Sequence, residues 1–550
     1  MAGPAPPRGQ GAQGQGAQGQ GGQGQGRQGH AARGRDGRGQ GRPQAPPPRQ
    51  PAGGRPQRRG RADPVRRAAC DVLCAVAERD AYSNLLLPAT LAQRGLTGRD
   101  AALATELSYG TLRGLGTYDA VLAVCSDRSL ATLEPAVREI LRLGTHQLLA
   151  TRVAPHAAVA TSVDLVREVV GPRPAGFVNA VLRRVATRDL EAWLEIAAPS
   201  RADDLAGHLA IRYSHPAWIV TALREALGED PDGDLAETEA ALAADGERPR
   251  VTLCAVPGLT GPGELTAAGA PPARWSEFGA YLGEGDPARI PAVAQHRAGV
   301  QDEASQLAAI ALARVDVPAR AGDDFGARDG EWWLDLCAGP GGKARLLAGL
   351  AARSGARLVA AELRPHRARL VQSAVGAVLV PDTALAPDPG LAPGVAQAVG
   401  ATRAAGVVVA DGTRPAWRPG TFDRVIADVP CSGLGALRRR PEARWRRSPD
   451  SISGLAGLQR RLLTTALDSV RPGGVVAYVT CSPHLAETRD VLADVLPTRR
   501  DIEVLDAPGV LAEVAGLACP DPHGRYAQFW PHRHGTDAIF LALLRRAAGG

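Results

Sequence analysis

The chain has 550 residues, long enough for several domains, and 44% of them are hydrophobic, the composition of a globular protein. No run of about eighteen apolar residues exists, so no membrane span is expected. The start lacks an apolar h-region, so no secretory signal is expected, and eight scattered cysteines point to free thiols in a reducing cytoplasm.

The net charge of +7 is unevenly spread. Residues 1–61 are almost entirely Gly, Gln, Pro, Ala and Arg, with eleven arginines against one aspartate, so the remainder is slightly acidic. Such a stretch cannot bury enough apolar surface to offset chain entropy, and residues 1–62 are expected to be a disordered tail. It is either a solvating linker or a loose grip on a polyanion. The chain also contains 63 arginines and a single lysine, Lys343. A lone lysine can mark a place where a guanidinium does not fit.

From Asp63 to Ser200 apolar residues recur three and four apart, as in DPVRRAACDVLCAVAERD and HAAVATSVDLVREVV, with short Gly or Pro breaks. This predicts an all-α bundle over 63–200. Cys70 and Cys74, four apart, read as core packing. The two asparagines of the chain, Asn84 and Asn179, fall here and read as buried groups that lock helices. Residues 201–299 predict a small α+β domain, with a helix in YSHPAWIVTALREALG and a strand in RPRVTLCAV.

From 300 to 550 strands alternate with helical patterns. EWWLDLC, ARLVAAEL, GVVVADG, FDRVIADV and GGVVAYVT predict a doubly wound, mainly parallel sheet, closed by an antiparallel edge hairpin from RYAQFW and AIFLALLRR. The run 381–405 is longer than usual for a βα connection and reads as an insertion. A zinc site from Cys519, His523, His532 and His534 is disfavoured because the ligands lack paired spacing.

The chemistry is expected at strand ends. WWLDLCAGPGGKARLL is a strand, a glycine turn and a helix, with Asp335 closing the strand. A phosphate P-loop would need Gly at 337 and Ser or Thr at 344, where Cys337 and Ala344 stand. A dinucleotide fingerprint would need a further glycine. An S-adenosylmethionine turn fits, with Glu362 ending the next strand for ribose hydroxyls and Asp411 ending the third for an adenine amino group. IADVPCSG ends the fourth strand with Asp428 and Cys431, and YVTCS ends the fifth with Cys481. A thiolate at such a place suits methylation of carbon 5 of a pyrimidine. Addition to carbon 6 makes carbon 5 nucleophilic, and a base later removes the carbon-5 proton so that sulfur can leave.

CAGPGGK, ADVPCSG and TCS, with QDEASQLAA at 301–309, resemble the Sun (RsmB) family of ribosomal RNA cytosine-C5 methyltransferases, and the helical region with FVNAVLRR resembles a NusB-type RNA-binding domain. The resemblance covers roughly residues 64–550. It implies a Rossmann-like methyltransferase domain using S-adenosylmethionine, with RNA, most of all 16S rRNA, as partner. It implies a cofactor pocket of Cys337, Ala338, Gly339, Pro340, Gly341, Gly342, Lys343, Glu362, Asp411 and Asp428. By the same resemblance Cys481 is the nucleophile, Cys431 assists product release and Asp428 contacts the target base. No metal is expected, and the chain is expected to act as a monomer. Transfer to tRNA or DNA is the alternative within enzymes; for DNA, Cys431 would be the attacking thiol. A dead transferase serving as an RNA-binding assembly factor is the alternative outside them. LRRRPEARWRR, residues 437–447, follows Cys431 and reads either as a solvated basic loop or, better beside such a site, as a set of phosphate contacts.

Overall fold

Asp63 accepts a hydrogen bond from the Val65 amide and Pro64 occupies the first helical position, so the first helix starts where its capping signals stand. The structure is a computed structural model that describes residues 62–283, 285–319, 330–376, 378, 405–519, 521 and 524–548. The tail, most of the 381–405 run and His523 lie outside the described residues. Helix Pro64–Arg79 buries Val65, Ala69, Val72 and Val76, one face at helical spacing. Seven more helices follow between Ser83 and Ala197, and their apolar faces meet in one core around Leu73, Leu107, Ile140, Val166 and Leu182. Cys70 is buried in that core and Cys74 is half-buried. Among the described residues no helix is long and apolar enough to cross a membrane.

Three helices, Leu205–Arg212, Ala217–Leu227 and Ala236–Gly246, come next. They share a core with Leu434, Leu437 and Trp530, far along the chain. A small antiparallel sheet follows, made of β1 (Val251–Ala255), β2 (Gly279–Leu282) and β3 (Ala298–Val300) in the order β2-β1-β3. Only β1 was legible from the sequence; β2 and β3 are four and three residues long, too short for a clear alternation.

The large sheet contains β4 (Trp332–Asp335), β5 (Arg357–Glu362), β6 (Ala405–Val409), β7 (Phe422–Asp428), β8 (Val470–Thr480), β9 (Ile502–Val504), β10 (Ala527–Gln528) and β11 (Phe540–Arg546). Its order is β10-β11-β8-β7-β4-β5-β6, with β9 also on β11. β4 to β8 run parallel, while β9 and β10 pair antiparallel with β11, which itself pairs antiparallel with β8. The middles of the central strands are mostly apolar because both faces of the sheet are covered. Along β8, Val475, Ala477 and Val479 enter a core shared with β1 and helix Glu303–Arg314, while Val476 and Tyr478 enter the core on the other face. Chain order reverses between β4 and β7, and the carboxyl ends of the strands around such a reversal frame a binding crevice.

Two expectations fail. Asn84 and Asn179 are only half-buried, and Asn179 accepts from Arg183 one turn later at 3.3 Å. The basic segment 437–447 is mostly neither solvated nor open to phosphate. Arg438 and Arg439 both bind Asp302 and Asp537, at 2.7–3.1 Å. Arg444 is fully buried and donates to the carbonyls of Arg113 (3.0 Å), Ser214 (3.2 Å) and Asp245 (2.6 Å). Glu442 accepts from the Ser83 amide and hydroxyl, at 3.1 and 2.9 Å. Arg446 donates to the carbonyls of Val76 and Ala81. The segment therefore ties the helical bundle and the middle helices to the large sheet. Its arginines sit where backbone carbonyls and carboxylates from distant segments converge, a tertiary fact with no local signature.

Replacing Arg444 by alanine strands three carbonyls and opens a cavity. At about 1 kcal/mol per hydrogen bond plus the packing loss, it is expected to destabilise the chain by about 3–4 kcal/mol. Thermal unfolding followed by calorimetry checks this; an unchanged midpoint would contradict the clamp.

Candidate active site

β7 and β8 are parallel neighbours with Asp428 opposite Val479, so their carboxyl ends emerge side by side. Cys481 comes directly after β8 and Cys431 three residues after Asp428. Their sulfurs lie 3.1 Å apart, hydrogen-bonded, and both residues are half-buried. The residues that follow each cysteine are locked together. Ser432 and Ser482 share a hydrogen bond at 3.1 Å, and the buried Glu487 accepts from the Ser432 amide (2.8 Å) and hydroxyl (2.5 Å). Gln459 donates to the Pro430 carbonyl at 2.9 Å and to Glu487 at 3.1 Å, so both sides of Cys431 are held. The Tyr478 hydroxyl donates to the Glu487 carbonyl at 2.8 Å. Sequence reasoning missed Glu487 and Gln459; they sit 55 and 28 residues from their partners, and nothing local marks them.

The two thiols are not equivalent. The hydrogen bond from Cys431 pulls the Cys481 thiol below its ordinary value; burial and Asp428 oppose this, while Lys343 and Arg440 assist it. That same bond, burial and the facing charge of Cys481 push Cys431 well up, with Glu487 and Asp428 adding to the effect. Cys481 is thus the more acidic thiol of the pair and Cys431 the less acidic one.

Beside them Lys343 donates to Asp428 at 2.9 Å. Burial works against the lysine's charge, but the adjacent Asp428 more than restores it, and its pKa lies above the ordinary value. Lys343 is buried in the first turn of helix Gly342–Arg353, directly after the glycine turn.

The glycine turn is shaped by what surrounds it. A Cβ on Gly339 would lie 2.1 Å from Glu362 Oε2, and Gly341 has a φ of +111°, which L side chains rarely adopt. Ala338 donates to the Ala361 carbonyl at 2.9 Å, and Pro340 follows Gly339 in the turn. Cys337 donates its amide to Asp335 at 3.3 Å. Glu362 is buried; its Oε1 accepts from the Arg364 amide at 2.9 Å and its Oε2 faces Gly339. Asp411, half-buried at the end of β6, accepts from the Thr413 amide and hydroxyl at 2.9 and 2.7 Å. Those bonds hold its carboxyl below the usual range. The sequence reading left Asp335 without a role. It is fully buried, its Oδ2 has no hydrogen-bond partner among the described residues, and burial followed by the nearby Asp428 pushes its pKa up to about 8. Adjacent strand ends thus carry Asp335, Glu362 and Asp411 around a turn whose glycines let Glu362 and Arg367 pack closely against it. Carboxylates at successive strand ends beside a glycine turn fit an S-adenosylmethionine pocket, in which Glu362 would be the one to hold ribose hydroxyls.

Among the described residues no group of three or more His, Cys, Asp or Glu could hold a metal ion. His532 instead meets Glu237 at 2.8 Å, and the His534 ring accepts from the Trp530 amide at 2.8 Å.

Replacing Glu362 by alanine removes a charged acceptor from the turn. S-adenosylmethionine binding is expected to weaken by about 1.5–3 kcal/mol, the worth of hydrogen bonds to a charged group, and titration calorimetry measures it. Unchanged affinity would remove Glu362 from the pocket.

Residues 325–386 and 395–545 match the family described as 16S rRNA methyltransferase RsmB/F, and residues 63–187 match the NusB family. Rv1407 of Mycobacterium tuberculosis strain H37Rv, a provisionally named methyltransferase, is 48% identical over 491 residues, which cover 89% of this chain and 98% of that protein. Ribosomal RNA small subunit methyltransferase B of Pseudomonas putida is 30% identical over 494 residues, covering 88% and 98%. The crystal structure of PH0851 shares the fold, with a TM-score of 0.66 at 20% identity over 88% of this chain and 99% of that one. With relatives matched over nearly their whole length, the protein belongs to the RsmB/F family of S-adenosylmethionine-dependent RNA methyltransferases and carries a NusB-like helical region before its methyltransferase domain.

Proposed function

We propose that the protein methylates carbon 5 of a cytosine in small-subunit (16S) ribosomal RNA through a covalent adduct on Cys481. The observation that carries this reading is the pair of unequal thiols 3.1 Å apart, with the Lys343–Asp428 ion pair beside them. S-adenosylmethionine supplies a methyl group on a positively charged sulfur. The Cys481 thiolate attacks carbon 6 of the target base, forming a C–S bond and turning carbon 5 into an enamine carbon. Asp428, steadied by Lys343, meets the polar edge of the base. Carbon 5 then takes the methyl group while still carrying its proton. Forming the adduct consumes the Cys481 anion that kept Cys431 protonated. Cys431 can now ionise, accept the carbon-5 proton and let the carbon-6 bond to Cys481 break, which returns the thiolate.

Residues 63–200, 201–299 and 300–550 are taken as the three folded domains, working as a cytoplasmic monomer. The P. putida relative's name supports the small-subunit substrate. The test is bisulfite mapping of 5-methylcytosine in ribosomal RNA from cells with and without the gene. One small-subunit cytosine that loses its mark supports the proposal. An unchanged small-subunit pattern, with loss in tRNA or nowhere, overturns it.

A further inference from the structure

Between the helical bundle and the segment after Cys431 lies a cleft of ≈ 360 Å³ with no part in the proposed chemistry. Asp80 and Tyr82, from the turn joining the first two helices, form one wall; Arg440, Trp445, Arg446 and Arg447 form the other. Its charge is positive. Arg440, Arg446 and Arg447 outweigh Asp80, which lies 3.6 Å from Arg446, and Glu442, which accepts from Ser83. Two large aromatic residues stay exposed there, Tyr82 at 52% and Trp445 at 38%, although most large apolar side chains of the chain are buried. The guanidinium groups of Arg440 and Arg446 lie 5.8 and 5.6 Å from the centre of the Tyr82 ring. The Trp445 ring rests on Gly116, where a Cβ would lie 2.5 Å away.

The cleft adjoins the thiol pair. Arg447 donates to the Ser432 carbonyl, next to Cys431, at 3.1 Å, and the charge of Arg440 is felt at Cys481. A base that reaches a half-buried thiolate must leave its stack, so its neighbour in the strand loses a stacking partner. Aromatic rings together with guanidinium groups are what single-stranded RNA uses as replacement. The volume is at the small end for ligand pockets and suits one nucleotide rather than a duplex.

We propose that this cleft holds the nucleotide beside the target base in single-stranded RNA, with Tyr82 and Trp445 as stacking surfaces and Arg440 and Arg447 facing its phosphates. The proposal deepens the functional reading above, since it requires an RNA substrate. It also gives the helical bundle a direct part at the mouth of the site, through Tyr82.

The test uses the full chain and a fluorescently labelled eight-residue oligocytidylate RNA, with affinity read by anisotropy at fixed salt and without cofactor. The Tyr82→Ala/Trp445→Ala double variant is expected to bind about tenfold more weakly, consistent with stacking on one base. The Tyr82→Phe/Trp445→Phe variant is expected to stay within about twofold of the parent, while S-adenosylmethionine affinity is unchanged in both. RNA affinity unchanged in the alanine pair, or equally lost in the phenylalanine pair, overturns the proposal. If the alanine pair fails to fold, the exposed Arg440→Gln variant decides. A slope of log affinity against log salt that shrinks by about 0.7 supports a phosphate contact, and an unchanged slope overturns it. Because binding is read without methyl transfer, failure here is distinct from failure to find a cytosine mark in ribosomal RNA.

Discussion

Cys481→Ala is expected to abolish methyl transfer, by roughly a thousandfold or more, and to abolish covalent capture of RNA as well. Without the sulfur no bond to carbon 6 forms, and carbon 5 stays unreactive, so no residual route through the same site is available. The parent carries its own signature in pH. The Cys481 thiol is held below its ordinary value, chiefly by the hydrogen bond from Cys431. A group with a depressed pKa keeps its anion at pH values where an ordinary thiol is protonated, and loses it only as pH falls through the lowered pKa. Alkylation of Cys481 by iodoacetamide, followed by mass spectrometry of the peptide, should therefore persist below the ordinary thiol range and fall on the acid side. Cys431→Ala removes that donor, so the midpoint should move up. A Cys481 midpoint at or above that of a free thiol would refute its assignment as the thiolate.

The parts of this site that were legible in the sequence are those fixed by strands and turns. A run such as GVVAYVT announces a strand buried on both faces, and the residue after it must emerge at the carboxyl end of the sheet. Cys481 and Asp428 were placeable for that reason, and so were Glu362 and Asp411. What no local pattern gives is which ends are neighbours. β7 and β8 lie side by side, and only this converts two separate cysteines into a pair at 3.1 Å. Glu487 and Gln459 escaped for the same reason, since each acts on a loop supplied by another segment. The arginine segment shows the opposite failure. Six arginines within eleven residues suggest a solvated or phosphate-binding surface, because isolated guanidinium groups are costly to bury. Arg438, Arg439 and Arg444 are nevertheless occupied by carboxylates and carbonyls from remote positions. The exposed remainder, Arg440 and Trp445, retains the character that the whole segment was expected to have. Asn84 and Asn179 also differ from expectation, since each is only half-buried.

Cys431→Ala is expected to fail later in the cycle and to leave a visible product. Cys481 can still add to carbon 6 and carbon 5 can still take a methyl group. The carbon-5 proton then has no acceptor beside the adduct, so the sulfur cannot leave. The variant should turn over at least about a hundredfold more slowly, the usual contribution of a positioned base. With substrate RNA and cofactor it should also accumulate a protein–RNA species that survives denaturing gels. Loss of the Cys431 hydrogen bond removes the largest influence lowering the Cys481 thiol, so formation of the adduct should slow at neutral pH and recover as pH rises. This dependence separates the two duties of Cys431. As a donor it favours the attacking thiolate, and as a base it releases the product. A time course of adduct and of methylated RNA on denaturing gels, at two pH values, reads both. If instead Cys481→Ala forms the trapped species and Cys431→Ala does not, the attacking thiol is Cys431. The hydrogen bond between the sulfurs would then have to run the other way, with Cys481 as donor.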